Sequence, residues 1–221
     1  MQTSSPAASA APSVAADALH ARGVRLRTAW GAIAVLALTL FSAAVMRSVF
    51  SPVQEAAKAE LRLSDVQLSL VQGLAASIPI ALLALPLGRL VDRGDRRWLL
   101  IGMAATWTLG TAMTAFVWDF PSLFVARMLA GLGAVCAVPL VISLVADLSP
   151  PQERGRAMMP LNMGIQIGAA AALVLGGVLF GQLVAGTLHA TALTPWREPH
   201  LIFAVASALA ASSRSVSGDT S

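Results

Sequence analysis

Long apolar runs alternate with short polar stretches along most of this chain. The runs cover about residues 28–50, 66–87, 98–118, 120–148, 157–185 and 199–211. A membrane-spanning helix needs about 20 apolar residues, whereas a membrane strand is half as long and alternates in polarity. In lipid, the backbone of an isolated apolar run must also pair with itself. The pattern therefore predicts an all-α membrane protein, a bundle of six helices.

The two ends of the chain depart from this pattern. Residues 1–27 are small and polar and predict a disordered tail, and residues 212–221 predict a polar tail. The sixth run holds only eleven apolar residues, 201–211, about half of what a bilayer requires. We expect the sixth helix to be short or truncated, either because the reading frame is broken or because a natural six-helix protein dimerises.

Composition narrows the function classes. Only 12% of the residues are charged and 57% are hydrophobic, against about 25% charged in soluble domains. Basic residues stand at the ends of apolar runs rather than in one soluble patch, so we expect no nucleic-acid partner. The single cysteine, Cys136, excludes an internal disulfide and a thiolate metal site. The sequence predicts neither a metal nor a cofactor.

The distribution of lysine and arginine predicts the orientation. If the N-terminus lies in the cytoplasm, three basic residues fall outside, namely Lys58, Arg62 and Arg197. Ten fall inside: Arg22, Arg25, Arg27, Arg89, Arg93, Arg96, Arg97, Arg154, Arg156 and Arg214. Because basic residues are retained in the cytoplasm, we expect a multi-pass protein of the cytoplasmic (inner) membrane with a cytoplasmic N-terminus and the lipid bilayer around it.

One polar stretch is denser in charge than orientation alone requires. GRLVDRGDRR, residues 88–97, is expected to form the loop between the second and third helices. It resembles the signature loop of the major facilitator superfamily, G-x-x-x-D-R-x-x-R-R, at the matching place. The resemblance implies a gating role for Gly88, Arg89, Asp92, Arg93, Gly94, Arg96 and Arg97, together with Asp147 and Arg154 on the same side. We expect Arg89 or Arg93 to pair with Asp147.

Further motifs extend the resemblance over about residues 30–205. LRLSDVQLSLVQG (61–73), preceded by EAAKAEL (55–61), is similar to the spinster-like branch of the superfamily. LFVARMLAGLGA (123–134) and PLVISLVADLSPPQERGRA (139–157) resemble the fourth helix and the loop after it. The resemblance implies the N-terminal half of a secondary active or facilitative transporter. Such a transporter moves a small organic solute by alternating access, with a second half or a second copy completing it.

Two positions depart from the spinster-like pattern. Where that pattern has acidic residues in the first and fourth helices, this chain has Met46 and Ala134. Intramembrane carboxylates are the usual proton carriers of transporters. A facilitator, an anion exchanger and coupling through other residues all stay open.

Polar residues inside the apolar runs are the candidates for the solute cavity. Arg47 and Arg127 offer positive charge to an anionic solute, or extend to the bilayer surface instead. Asn162 and Gln166 share one helix face and line the cavity or join helices. Gln72 has the same two interpretations. Close helix packing is expected at Gly131, Gly133, Pro139, Gly177 and Gly181.

Two other function classes receive less support. A truncated membrane protein without transport activity, or a half-length subunit, is the main alternative. An enzyme is not expected, since the chain has no H-E-x-x-H motif and no phosphate-binding G-x-x-x-x-G-K-[ST] loop. The three histidines, His20, His189 and His200, are expected to be solvated or interfacial.

Overall fold

The protein, described here by a computed structural model over residues 11–186 and 193–217, is helical over most of those residues, with short turns between the helices. Within these ranges some side chains, among them those of Asp92, Arg93 and Arg97, lie outside the described part. The helices are α1 (Ala11–Ser48), α2 (Gln54–Leu61), α3 (Asp65–Arg93), α4 (Arg96–Thr114), α5 (Phe120–Leu148), α6 (Arg154–Val184) and α7 (Glu198–Ser217), with a 3-10 turn at Ser51–Val53 before α2. The predicted all-α membrane fold is confirmed, because α1 and α3–α7 correspond to the six apolar runs.

Three helices of the described residues are long and apolar enough to cross a bilayer. They are the part of α1 that starts at Trp30, α5 and α6. In α7 the described side chains form a shorter apolar helix, Glu198–Leu209, and the side chains after Leu209 lie outside the described part. Trp98 and Trp118, which bracket α4, are 71% and 78% exposed. This exposure suits tryptophans at the two membrane interfaces.

The short helix α2 was not predicted. Its sequence, QEAAKAEL, is too polar to stand out as an apolar run, yet its residues have high helix propensity. The helix ends at Arg62, whose φ of 51° is left-handed, and the amide of Leu63 donates to the Lys58 carbonyl at 3.0 Å. Ala57, fully buried, packs α2 onto the bundle.

Glycines bring the long helices into direct backbone contact. A Cβ on Gly133 of α5 would lie 2.6 Å from the Met103 carbonyl oxygen of α4. A Cβ on Gly168 of α6 would lie 2.5 Å from the Phe41 carbonyl oxygen of α1, and one on Gly164 would lie 2.6 Å from that of Ala37. Small residues are the common means of close helix packing in membranes. Gly131 is also buried, so the prediction of packing at this part of α5 agrees with the structure.

The other predicted packing positions do not make such contacts. No atom of the described chain lies within 4 Å of a Cβ placed on Gly181, and Gly177 reaches only ordinary contact with Pro52 at 3.9 Å. Pro139, inside α5, is exposed. The described bundle shows no close packing at Gly181 or Pro139, and spacing alone does not say which face of a helix meets a neighbour. The close pair in α6 is Gly164 and Gly168, which has the same spacing.

The core has two parts along the bundle. The larger part joins α1, α4, α5 and α6 around Leu40, Trp107 and Leu140. The smaller part lies at the end of the bundle that carries α2, which we call the α2 end, and is built around Phe50, Leu123 and Trp196. The opposite end, where α3 ends and α4 begins, is called the arginine-rich end.

The stretch GRLVDRGDRR is mostly helical rather than a loop. Gly88–Arg93 complete α3, Arg96 and Arg97 begin α4, and only Gly94 and Asp95 link the two. The Asp95 carbonyl accepts from the Leu99 amide at 3.1 Å, which starts α4. The prediction of a loop was wrong because it placed the helix end where apolarity ends, whereas helical hydrogen bonding continues until Gly94.

The terminal helices are also longer than predicted. α1 begins at Ala11 rather than near residue 28, and α7 continues to Ser217 rather than ending at 211. Alanine favours the helix before residue 28, and neither glycine nor proline interrupts residues 199–217 after Pro199. Residues 1–10 and 218–221 of the expected tails lie outside the described residues.

Candidate functional site

At the arginine-rich end, an ion pair joins the signature motif to α5. The Arg96 guanidinium donates to a carboxylate oxygen of Asp147, one residue before the end of α5. Arg154, at the start of α6, donates to the Ala146 carbonyl at 3.2 Å. The two arginines thus hold the beginnings of α4 and α6 against the end of α5.

Among the described side chains, Asp147 pairs with Arg96 and not with Arg89, one of the two expected partners. Arg89 is exposed on α3, and the side chain of Arg93 lies outside the described residues. Because the helix of α3 continues to Arg93, Arg96 at the start of α4 takes this position.

Arg127 is buried deep within the α2 end. It lies two turns into α5, is 8% exposed and donates through Nη2 to the Arg47 carbonyl oxygen at 2.6 Å. Its guanidinium carbon lies 5.1 Å from the centre of the Phe50 ring. A side chain held in this way faces protein. Of the two interpretations of Arg127, extension to the bilayer surface therefore disagrees with the structure.

Arg47 contributes its backbone to this site but not its side chain. The side chain is exposed, near the end of α1. It therefore remains a candidate for contact with a solute. Met46 and Ala134, at the places of the missing carboxylates, are buried in the larger core part.

His200 is part of this region, and the sequence analysis missed it. The prediction that His200 is solvated or interfacial was wrong, because the residue is fully buried at the start of α7. Its Nδ1 lies 3.2 Å from the Trp196 carbonyl oxygen, and its ring centre lies 6.0 Å from that of Phe50. The sequence around it, PWREPHLIF, carries no periodic signal that separates a buried from an exposed histidine.

Asn162 and Gln166 are exposed on α6, on the side away from α1. Asn162 donates to the Met158 carbonyl of its own helix at 3.2 Å, which is a local bond. Exposed apolar residues, including Met163 and Ile167, occupy the neighbouring strip of the same helix. The two amides do not join helices of the described bundle. Two interpretations of these side chains remain: they line a cavity, or they contact another chain.

Gln72 of α3 is exposed and donates to the side chain of Gln54, the first residue of α2. It therefore ties α2 to α3 on the surface of the α2 end. Lys58 of α2 pairs with Asp65, the first residue of α3, which raises the pKa of Lys58. These polar contacts hold α2 across the beginning of α3.

A second set of contacts fixes α2 to α7. Glu60 accepts from Trp196 Nε1 at 2.7 Å and from Arg197 Nη2 at 2.7 Å, and Arg197 Nη1 donates to the Ala115 carbonyl at 3.0 Å. We call Glu60, Trp196 and Arg197 the outer clamp. Partial burial works to raise the pKa of Glu60, but the hydrogen bonds from Trp196 and Arg197 outweigh it, and the net pKa is lowered.

A hydroxyl of α7 joins three helices in the middle of the bundle. Ser207 Oγ lies 3.0 Å from Thr108 Oγ1, 3.3 Å from Trp107 Nε1 and 3.3 Å from Ser42 Oγ. Interhelical hydrogen bonds of this kind stabilise membrane bundles modestly, by about 0.6 kcal/mol each. Ser207 lies in the short sixth run, and these bonds place it against α1 and α4.

A shallow apolar groove runs between α4 and α5. Its volume is about 250 Å³, and its walls include Trp98, Met103, Thr106 and Cys136. It lies apart from Arg127 and from the exposed amides of α6. Among the described residues, no three histidine, cysteine or acidic side chains are grouped as metal ligands would be.

Comparison with known proteins gives the family. Residues 36–214 match the family model of the Major Facilitator Superfamily. The 3-(3-hydroxy-phenyl)propionate transporter of Escherichia coli is 40% identical over 104 residues, which are 47% of this chain and 25% of that protein. An MFS-type efflux pump of Mycolicibacterium smegmatis is 29% identical over 173 residues, 78% of this chain and 40% of the pump.

A solved structure shows the same fold. The inward-facing, occupied crystal structure of a bacterial homologue of the human lysosomal transporter Spinster superposes with a TM-score of 0.73 at 22% identity, covering 81% of this chain and 42% of that one. The chain spans less than half the length of each of these proteins. Its six long helices match part of the fold, and the family model covers most of its length. This multi-pass membrane protein therefore belongs to the major facilitator superfamily.

Proposed function

We propose that the chain is the N-terminal six-helix unit of a transporter that moves a small organic anion by alternating access. The activity is transport rather than catalysis. Access to the central site alternates because the helix bundles rock about it. The proposal places the N-terminus and the arginine-rich end in the cytoplasm of the inner membrane, because most of the basic residues lie there. Residues 28–211 form the membrane unit.

The exposed polar face of α6 is the observation that carries this proposal. Only 22% of the most apolar window of α6 is buried within the described bundle, although the helix is long enough to span a membrane. Asn162 and Gln166 stand exposed on it. Amide side chains in a span face protein or water rather than lipid, so this face requires a water-filled cavity or a second unit.

The cavity is completed by a second six-helix unit, either a separate half or a second copy of this chain. The twelve-helix proteins of this kind have two related halves with the solute site between them. The signature residues Gly88, Arg89, Asp92, Arg93, Gly94, Arg96 and Arg97, with Asp147 and Arg154, form the latch that opens and closes the cytoplasmic side. Gln72 supports the α2 end, and Arg47 borders the cavity.

The class of solute follows from positive charge and from a relative. Arg47 and Arg127 are the cations of the spans, and both expected carboxylates are replaced by apolar residues. The Escherichia coli relative is named for 3-(3-hydroxy-phenyl)propionate, an aromatic carboxylate. A carboxylate on a small aromatic ring is therefore the solute to test first.

Cysteine accessibility tests the proposal directly. Asn162→Cys is introduced into the Cys136→Ser chain, which makes it the single thiol, and is treated in membrane vesicles with a charged maleimide. We expect rapid labelling, and we expect saturating 3-(3-hydroxyphenyl)propionate to slow it. Ile167→Cys in the same background is the matched control, since Ile167 lies on the exposed apolar strip of α6 and should label slowly.

Two results would count against the proposal. Equal, slow labelling at both positions would show that the amide face lies in lipid. Labelling at Asn162→Cys that is fast but is not slowed by any small carboxylate would support a water-filled surface. It would exclude small carboxylates as the class of solute.

A further inference from the structure

Two buried polar atoms near Phe50 have no hydrogen-bond partner among the described residues. They are Nη1 of Arg127, on α5, and Nε2 of His200, on α7. Both side chains are more than nine-tenths buried. A buried donor or acceptor without a partner destabilises the fold, so two such atoms on side chains beside one ring point to a ligand that satisfies them.

The charge of Arg127 is not balanced by any described carboxylate through an ion pair. Its one hydrogen bond goes to a backbone carbonyl, and its other contact is the face of Phe50. A carbonyl dipole and a ring face compensate a buried cation only partly. An anion at Nη1 would supply the missing negative charge.

The contacts of His200 fix which of its nitrogens is available. Nδ1 lies 3.2 Å from the Trp196 carbonyl oxygen, and a carbonyl can only accept, so Nδ1 carries a hydrogen. Nε2 is then the atom that takes up a proton when the imidazole becomes charged. With that proton, Nε2 becomes a second donor beside the guanidinium.

The other groups around His200 come from four elements. Just after α1, the Phe50 ring centre lies 6.0 Å from that of His200, and in α1 the Arg47 carbonyl accepts from Arg127. From α5, Arg127 acts on His200 electrostatically. The groups next to His200 in sequence are Arg197, which pairs with Glu60 of α2, and Glu198, which is buried and has a partner of its own. Within the described part of the chain, Arg127 is thus the cation that acts on His200 and has no acidic partner.

We propose that Arg127 Nη1 and His200 Nε2 form a buried site for one small monovalent anion at the α2 end. Burial and the Arg127 cation oppose a positive charge on His200, so the imidazole takes up its proton together with the anion. Nε2 then donates beside Nη1, and the anion binds more tightly as the pH falls. Two sources share this chemistry, a halide ion and the carboxylate group of a small organic acid. The inference rests on the proposed function, because Arg127 is one of the two cations assigned there to an anionic solute, but it concerns binding and its test does not require transport.

Thermal unfolding of the purified full chain in detergent tests the site. Chloride or benzoate replaces a bulky sulfonate at constant ionic strength, at two pH values. We expect a saturable rise in the unfolding midpoint, with a lower apparent Kd at the lower pH. Arg127→Gln and His200→Gln should each weaken the apparent Kd at least about tenfold, whereas Arg156→Gln, at an exposed arginine of the opposite end, should leave it unchanged.

The outcomes separate the two sources and the two proposals. Chloride that competes with benzoate indicates one shared site, and a response to only one of them names the source. No saturable response in the wild-type chain, or equal weakening by Arg156→Gln, would overturn the site. If Arg127→Gln does not fold, as judged by its helical circular dichroism, His200→Gln decides the result alone. Labelling of Asn162→Cys is independent, so either proposal can fail without the other.

Discussion

Single residues decide how closely the helices of this bundle approach. Glycines in similar apolar surroundings differ completely in the space around them. A Cβ at Gly133 would meet the backbone of α4 at 2.6 and 2.7 Å, whereas nothing lies within 4 Å of a Cβ at Gly102. The sequence indicated Gly133 through the fourth-helix motif, but no signal distinguished Gly181, which is open, from Gly168, which is closed.

This contrast predicts opposite effects of the same substitution. Gly133→Ala should lower the free energy of unfolding by about 1–3 kcal/mol, because the backbone of α4 must move away. Gly102→Ala should leave stability unchanged or raise it by up to about 1 kcal/mol, since alanine favours the helix and meets nothing. Denaturant titration of both variants in the same detergent measures the difference, and equal effects would contradict the close contact.

At the scale of elements, the outer clamp explains why a short polar helix is ordered. α2 buries little apolar surface, yet Glu60 joins it to Trp196 and Arg197, and Arg197 continues to the end of α4. Glu60 is far in the sequence from both of its partners, since Glu60 and Arg197 are 137 residues apart. Sequence patterns could therefore suggest neither α2 nor the clamp.

The lowered pKa of Glu60 predicts how the clamp depends on pH. A carboxylate with a lowered pKa in the folded chain stabilises it fully above the ordinary value of 4.5, and that contribution disappears as the pH falls through the folded pKa. The wild-type chain should therefore unfold at a higher temperature than Glu60→Gln at neutral pH. The gap should narrow below about pH 4.5 as Glu60 becomes protonated.

Midpoints of both chains from about pH 3 to about pH 7 measure this gap. Taking the difference removes the titration of the other carboxylates, which both chains share. Glu60 is about a third exposed, so solvent screening keeps the effect modest. A gap that stays constant over the range would show that the charge of Glu60 does not stabilise the fold.

For the whole molecule, we propose that the arginine-rich end contributes to switching more than to stability. The side chains of Arg96 and Asp147 are 34% and 62% exposed, and exposed ion pairs contribute about 0–1 kcal/mol to folding. An exposed pair between two helix ends can nevertheless bias one arrangement of a bundle over another. Its effect therefore belongs in a transport assay rather than in an unfolding experiment.

Charge reversal tests this role of the pair. Asp147→Arg should lower the uptake of 3-(3-hydroxyphenyl)propionate into proteoliposomes by about 5-fold or more while changing the unfolding midpoint little. Adding Arg96→Asp should partly restore uptake, because the pair is formed again with its charges exchanged. Arg156→Asp combined with Asp147→Arg is the control that should restore nothing. Equal uptake by the two double variants would exclude Arg96 as the functional partner.

The sequence by itself determined the helical membrane fold, the number and order of the long helices and the place of the signature motif. The length of an apolar run and the charges that flank it are local properties of the sequence. A run of that length forms a helix in a bilayer because its backbone must pair with itself, whatever its neighbours are. The sequence also singled out Arg127, since a charge within an apolar run stands out against its neighbours.

Only the tertiary structure decided which residues meet. It showed that Asp147 forms an ion pair with Arg96 and that His200 lies beside Phe50. It also showed that Asn162 and Gln166 are exposed on α6. These outcomes depend on helix rotation and on where each helix ends, and both are set by packing between segments far apart in the chain. Hydrophobic periodicity within one segment does not indicate which other helix will pack against it.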